Sequence, residues 1–130
     1  MEKIERIFTL NNTEPFDQLK IEEVINLSDV TTTIWFEEGE LIVDAHKPVD
    51  KLYIVADGEV ICPIREQRPK LLGVWSLLSG EAYDTNFRAG PDGALCLTIK
   101  KAFFLTTVYE CPAIMVKLVE MMGKYGRYYW

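Results

Sequence analysis

The feature that most constrains the fold is a double change in the spacing of apolar residues along the 130-residue chain. At both ends, apolar side chains recur at the three- and four-residue spacing of a helix, whereas residues 31–100 alternate with the two-residue period of strands. This order predicts helices over 2–10 and 20–27, a β region over about 31–100, and helices over about 101–109 and 112–123.

Turn residues divide the β region into short pieces. Glu38-Gly39 and Gly90-Pro91-Asp92-Gly93 are typical of turns, and Asp57-Gly58 is typical of a hairpin. The spacing predicts seven strands, one of them over Leu71–Trp75, and many short strands indicate a sandwich or barrel. The predicted fold is mainly β, a jelly-roll-like β-barrel with flanking N- and C-terminal α-helices, in a single domain over residues 1–130.

Charge and composition exclude several kinds of partner. The formal net charge is −6, which argues against binding nucleic acid and, more weakly, against an anionic membrane surface. The chain has a charged N-terminus without a signal peptide's apolar stretch, and it lacks the apolar run of about 20 residues that a membrane-spanning helix needs. The three widely spaced cysteines, Cys62, Cys96 and Cys111, are expected to be reduced. We therefore expect a cytoplasmic protein.

Five segments resemble, in the same order, the sequence pattern of cyclic nucleotide-binding domains. They are Phe16–Leu19, Glu38–Ile42, Asp50–Val60, Leu77–Glu81, and Phe104 with Pro112 eight residues later. The most specific is Asp50–Val60, which is similar to the family's "D-x-L-Y-I-I-x-x-G-x-V". The family includes bacterial catabolite activators, kinase regulatory subunits and nucleotide-gated channels. The resemblance, which covers roughly residues 7–119, implies a regulatory or sensor module in signal transduction.

The resemblance breaks at the phosphate-binding cassette. In the family, a cassette glutamate accepts a hydrogen bond from the ribose hydroxyl, and an arginine pairs with the cyclic phosphate beside backbone N–H groups of a short helix. By position, Val74 stands at the glutamate and Tyr83 at the arginine. Valine accepts no hydrogen bond, tyrosine lacks the charge and forked geometry of guanidinium, and Asp84 would repel a phosphate. The pattern predicts weak or lost binding of cAMP and cGMP.

The degenerate cassette remains the candidate ligand site. Its residues are Gly73, Val74, Trp75, Gly80, Glu81, Tyr83, Asp84 and Thr85. Trp75 and Tyr83 are expected to fill the nucleotide's space, and stacking on a planar ligand is the alternative. No cofactor is expected. A rearranged pocket that still binds cAMP, cGMP or another small ligand is the alternative function. Arg65, Arg68 and Lys70 on the preceding hairpin could approach the pocket mouth, whereas Arg88 is expected to point away.

An enzymatic role has no positive support in the sequence. A cupin-like barrel enzyme, the third hypothesis, needs several histidines and a carboxylate around a metal, and His46 is the only histidine. Glu37, Glu38 and Glu40 flank a turn glycine, which favours a solvated turn over an acid–base pair. We predict no catalytic residues and no metal site.

The C-terminal segment is rich in methionine and aromatic residues. The predicted output or interaction surface consists of Met115, Leu118, Met122, Tyr128, Tyr129 and Trp130. In the resembled family the C-terminal helices move when nucleotide binds, which implies that this surface contacts a protein partner, a fused domain or a sister subunit.

Overall fold

A computed structural model describes residues 1–64, 66 and 68–125, except for the side chain of Tyr125. The helices are α1 (Lys3–Asn11), a 3-10 turn (Phe16–Gln18), α2 (Ile21–Asp29), α3 (Val74–Ser79), α4 (Lys101–Glu110) and α5 (Pro112–Tyr125). The strands are β1 (Thr32–Phe36), β2 (Leu41–Val43), β3 (Lys51–Ile61), β4 (Leu71–Leu72) and β5 (Phe87–Lys100).

The four predicted helices are confirmed, with ends within two residues of the expected positions. Local interactions explain why two of these helices, α2 and α5, begin where they do. Glu23 reaches back to accept a hydrogen bond from the backbone N–H of Lys20 at 2.8 Å, which caps α2. Pro112 begins α5, where its missing N–H costs nothing.

The described strands form one antiparallel sheet in the order β1-β5-β3-β4, with β2 also paired to β5. β5 is the central strand: its second half pairs with β1, its first residues pair with β2, and most of its length pairs with β3. A mostly antiparallel sheet with flanking helices is therefore confirmed. The pairings of the described strands do not close on themselves, so the predicted closed barrel is not confirmed.

Two predicted turns are wrong, because the glycines in them make a bulge between long strands and not a chain reversal. Asp57-Gly58 lies inside β3, and Gly90–Gly93 lies inside β5. The register moves there from Gly58 opposite Ala94 to Val60 opposite Ala89. A Cβ on Gly58, whose φ is +75°, would lie 2.1 Å from the carbonyl oxygen of Gly93. Four predicted strands thus merge into two.

The predicted strand over Leu71–Trp75 is only partly correct. The strand ends at Leu72, and helix α3 takes over at Val74. Because four predicted strands merge into two, the described chain contains five strands where seven were expected.

Two clusters of buried side chains lie on opposite faces of the long strands. The helix-side core packs the helices against one face and includes Leu52 and Ile54 of β3 together with Leu97 and Ile99 of β5. The sheet core, on the other face, consists of Phe36, Ile42, Val43, Tyr53, Val55, Val60, Cys62, Leu72, Tyr83, Phe87, Ala89, Ala94 and Cys96. Because alternate residues of a strand point to opposite faces, β3 contributes to both cores.

Candidate functional site

The cassette connects β4 to β5 and contains α3. Two glycines with left-handed backbone conformation bound this helix, Gly73 with φ +109° and Gly80 with φ +77°. A Cβ on Gly73 would lie 2.9 Å from the carbonyl oxygen of Lys51, so the chain at this point passes too close to β3 for a side chain. The backbone geometry of the cassette thus depends on the two glycines that the sequence singled out.

Tyr83 turns back from the far end of the cassette to the start of α3. Its side chain is 3% exposed, and its hydroxyl oxygen accepts a hydrogen bond from the backbone N–H of Gly73 at 3.0 Å. The backbone of Trp75 and Ser76 also interacts with this hydroxyl. The ring lies edge-on to Phe87, with centroids 5.2 Å apart. The Gly73 amide at the start of α3 therefore already has an oxygen partner from within the chain.

The Tyr83 hydroxyl is held in its neutral form. Burial raises its pKa well above the ordinary value of 10, and the hydrogen bonds from Gly73, Ser76 and Trp75 offset only part of that rise. A neutral phenol oxygen can accept hydrogen bonds from backbone amides without bringing a buried charge with it.

Val74, which the sequence resemblance aligns with the family's glutamate, does not share a core with Tyr83. Its side chain is 1% exposed and lies in the helix-side core. A carboxylate placed there would be buried among apolar groups, at a substantial desolvation cost. The surroundings of Val74 therefore suit an apolar side chain and not a carboxylate.

The other predicted site residues lie at different depths. Thr85 is buried and Trp75 is half-buried, whereas Gly80, Glu81 and Asp84 are exposed. A further residue, which the sequence pattern did not indicate, positions the cassette. Ser76 is buried, and its Oγ accepts a hydrogen bond from the backbone N–H of Val49 at 2.9 Å, which ties α3 to the loop before β3. The signal was a hydroxyl between two large apolar neighbours, Trp75 and Leu77.

Two of the described basic residues that the sequence places near the cassette, Arg88 and Arg68, have partners of their own. Arg88 is exposed, as predicted, and its guanidinium donates to the carbonyl oxygen of Gly39 at 3.0 Å. Arg68 pairs with the carboxylate of Glu59 at 3.2 Å. Lys70 lines a groove beside α1 together with Thr13 and Glu14. Arg65 lies outside the described residues.

Metal-ligating and thiol groups are scattered. His46 is exposed, and within the residues described above no group of three or more His, Cys, Asp or Glu side chains could hold a metal ion. The three cysteines are free thiols, and burial raises the pKa of Cys96 to about 12.

No single helix of the described chain is long and apolar enough to cross a membrane, although α4 and α5, bent by 105°, pass that test as a pair on length and composition.

The predicted output surface is only partly on the surface. Met115 and Met122 are 39% and 36% exposed, but Leu118 is fully buried in the helix-side core. The inclusion of Leu118 was therefore wrong, because it lies on the inward face of α5. Tyr128, Tyr129 and Trp130 lie outside the described residues.

No sequence-family profile and no curated protein matches the chain. Solved structures do. The regulatory subunit of a cAMP-independent protein kinase A from Trypanosoma brucei superimposes with a TM-score of 0.78 at 18% identity, over 98% of this chain and 51% of that one. The sensor domain of the transcriptional regulator DNR from Pseudomonas aeruginosa gives 0.72 at 12% identity, over 95% and 91%. The chain has the fold of cyclic nucleotide-binding domains.

A second structure of the trypanosomal subunit bears on ligand binding in that protein. A mutant with three substitutions, one of them threonine to arginine, is bound to cAMP in its A site, with a TM-score of 0.77 at 17% identity over 98% of this chain and 49% of that one. The present chain spans about half the length of these kinase regulatory subunits. The structures that share its cyclic nucleotide-binding fold are regulatory or sensor domains.

Proposed function

We propose that the chain is a regulatory binding module in which Tyr83 takes the place of a ligand phosphate and cAMP and cGMP bind weakly or not at all. The observation that carries this proposal is the 3.0 Å hydrogen bond from the Gly73 N–H to the buried Tyr83 hydroxyl. In this role the domain would act through contacts with other proteins and would not catalyse a reaction.

Energetics favour the tyrosine over a phosphate. A ligand that reached the amides of α3 would displace the Tyr83 hydroxyl and leave it buried without a partner, which costs about 1–3 kcal/mol. The ligand would also lack the charge-assisted pair with arginine, worth about 1.5–3 kcal/mol. Because about 1.4 kcal/mol corresponds to a tenfold change in affinity, these two deficits together weaken binding by orders of magnitude.

Two of the basic residues that could compensate for the missing arginine are engaged elsewhere. Asp84 is exposed beside Tyr83, and the guanidinium groups of Arg88 and Arg68 contact Gly39 and Glu59. The trypanosomal subunit supports the same interpretation by analogy, since it is called cAMP-independent and a variant that gains an arginine is bound to cAMP.

Isothermal titration with cAMP and cGMP tests the proposal on the wild type, Tyr83→Arg and Tyr83→Phe. The wild type should give no binding heat at micromolar concentrations. Tyr83→Arg adds the cation and should gain the most affinity, whereas Tyr83→Phe removes only the cost of displacing the hydroxyl, adds no charge and should gain less. Thermal melts of the three proteins control for folding.

Micromolar binding by the wild type would overturn the proposal in favour of a rearranged pocket with substitute contacts. Val74→Glu is added only after Tyr83→Arg has been tested, because it places a carboxylate in the helix-side core. If Tyr83→Arg stays folded and does not bind, the double variant tests whether the ribose contact is also required.

A further inference from the structure

Helix α5 carries more apolar surface than the domain buries. Ile114, Leu118 and Met121 lie on its inward face and are at most 5% exposed. A second set, here called the outer stripe, consists of Met115, Val116, Val119 and Met122, which are 36% to 61% exposed. At about 100° per residue, these four side chains form one continuous band beside the inward face. Packing of this domain accounts for the first set and leaves the outer stripe uncovered.

The outer stripe leads into a cleft between α5 and α3. The cleft has a volume of about 190 Å³ and is lined by Val74, Trp75, Leu78, Ser79 and Met122. Met122 belongs both to the stripe and to the cleft, and Leu78 on the other wall is 40% exposed. Apolar side chains dominate the lining. A stripe that ends in a small apolar cleft is the arrangement that receives an anchor side chain from a docked helix.

The size of this surface indicates its occupant. A stable interface between two proteins uses about 20–30 residues on each side. The outer stripe with Leu78 and Trp75 provides six side chains, too few for a dimer held by this face alone. A single amphipathic helix needs only a few anchors at i, i+3, i+4 and i+7, and the stripe extends over about two helical turns. Met115 and Met122 are flexible side chains that adapt to such partners.

We propose that the outer stripe and the α3–α5 cleft bind an amphipathic helix of a partner protein, with one large apolar side chain inserted between Leu78 and Met122. The proposal rests on the proposed function in that it assigns the domain a protein partner. Although helix α3 belongs to both sites, the proposal does not depend on the hydrogen bond between Tyr83 and Gly73, so the two can fail separately.

Fluorescence anisotropy of the full chain tests the proposal with two labelled helical peptides of equal composition. One presents leucines at i, i+3, i+4 and i+7, and in the other the same leucines are scattered around the helix. The patterned peptide should bind saturably and the scattered one at least about tenfold more weakly. Val119→Lys and Leu78→Lys should each weaken patterned binding about tenfold. Tyr109→Ser is the matched control, because Tyr109 is 88% exposed on α4 outside the stripe.

Four results would overturn the proposal. Equal binding of both peptides, or no binding of either, excludes a helix-docking surface. A dimer in light scattering that Val119→Lys dissociates assigns the stripe to a second copy of the chain. If the patterned peptide binds only after residues 126–130 are removed, the outer stripe is assigned to the chain's own C-terminus. Co-sedimentation with phosphatidylcholine vesicles that Val119→Lys abolishes assigns it to a membrane. Cyclic nucleotide titration of the same variants tests the proposed function separately, because it measures ligand binding at the cassette and not peptide binding at the outer stripe.

Discussion

The two cores of the domain share strands β3 and β5 but differ in their chemistry. The helix-side core is built from aliphatic side chains, Phe16, Phe104 and Met121. The sheet core instead contains two tyrosines, two cysteines and two alanines among its buried residues. Packing volume therefore dominates the stability of the first, whereas the second also depends on hydrogen-bond partners and on protonation. Tyr83, whose hydroxyl accepts the hydrogen bond from Gly73 in the cassette, lies in the sheet core.

The largest expected effect is in the helix-side core. Phe104→Ala should lower the free energy of unfolding by about 3–5 kcal/mol, because Phe104 is 1% exposed and its removal leaves a cavity. Phe103→Ala is the neighbouring control: Phe103 is 42% exposed, so the loss should stay below about 1 kcal/mol. Urea denaturation of both variants makes the measurement. Similar losses would mean that α4 does not face the core as described.

The next effect is at the bulge between β3 and β5. Gly58→Ala should cost about 2–4 kcal/mol, since its Cβ would collide with the carbonyl of Gly93 in addition to the left-handed φ. Gly39→Ala is matched to it in backbone conformation, with φ +78°, but has open space around it, so it should cost only about 1–2 kcal/mol. Urea melts would refute the close approach of the strands if the two losses were equal.

A smaller effect isolates the Tyr83 hydroxyl. Tyr83→Phe should destabilise the fold by about 1–3 kcal/mol, because it leaves the buried N–H of Gly73 without this partner. Tyr53→Phe, in the same sheet core, keeps the ring contact with Phe36 and should cost less. Hydrogen exchange of the Gly73 amide gives an independent measurement. Unchanged protection of that amide in Tyr83→Phe would contradict the assigned bond.

The smallest effect is a pH dependence confined to the sheet core. Burial raises the pKa of Cys96 from 9.0 to about 12, and it also raises the pKa values of Tyr53 and Tyr83 above 10.0. For a raised pKa, the stabilisation is fully present below the unfolded value and is lost as the pH rises toward the folded value. Stability should thus decline above about pH 9, by at most about 1.4 kcal/mol per pH unit for one group. Cys96→Ala should remove the earliest part of this decline in urea melts, whereas Phe104→Ala should leave its shape unchanged.

Local spacing was sufficient to predict the four flanking helices and the direction of Arg88, but not helix α3. The spacing failed where the same residue type occurs in two different structural settings. Asp57-Gly58 is a hairpin signal by composition, but here the glycine permits a bulge against Gly93, a residue distant in sequence. Leu118 failed for a related reason: α5 is apolar on two adjacent faces, and spacing alone does not indicate which of them the domain buries.

The residue types determine that the side chains of Val74 and Tyr83, which the resemblance aligns with the family's glutamate and arginine, provide neither a carboxylate nor a guanidinium, because no conformation gives a valine side chain an acceptor or a tyrosine a positive charge. The path of the folded chain establishes what replaces them. The bond between Gly73 and Tyr83 joins residues ten positions apart, and it forms because α3 and the start of β5 bring the ring back over the helix N-terminus. Contacts across such a loop depend on the packing of the whole cassette between two cores, and no local pattern encodes that packing.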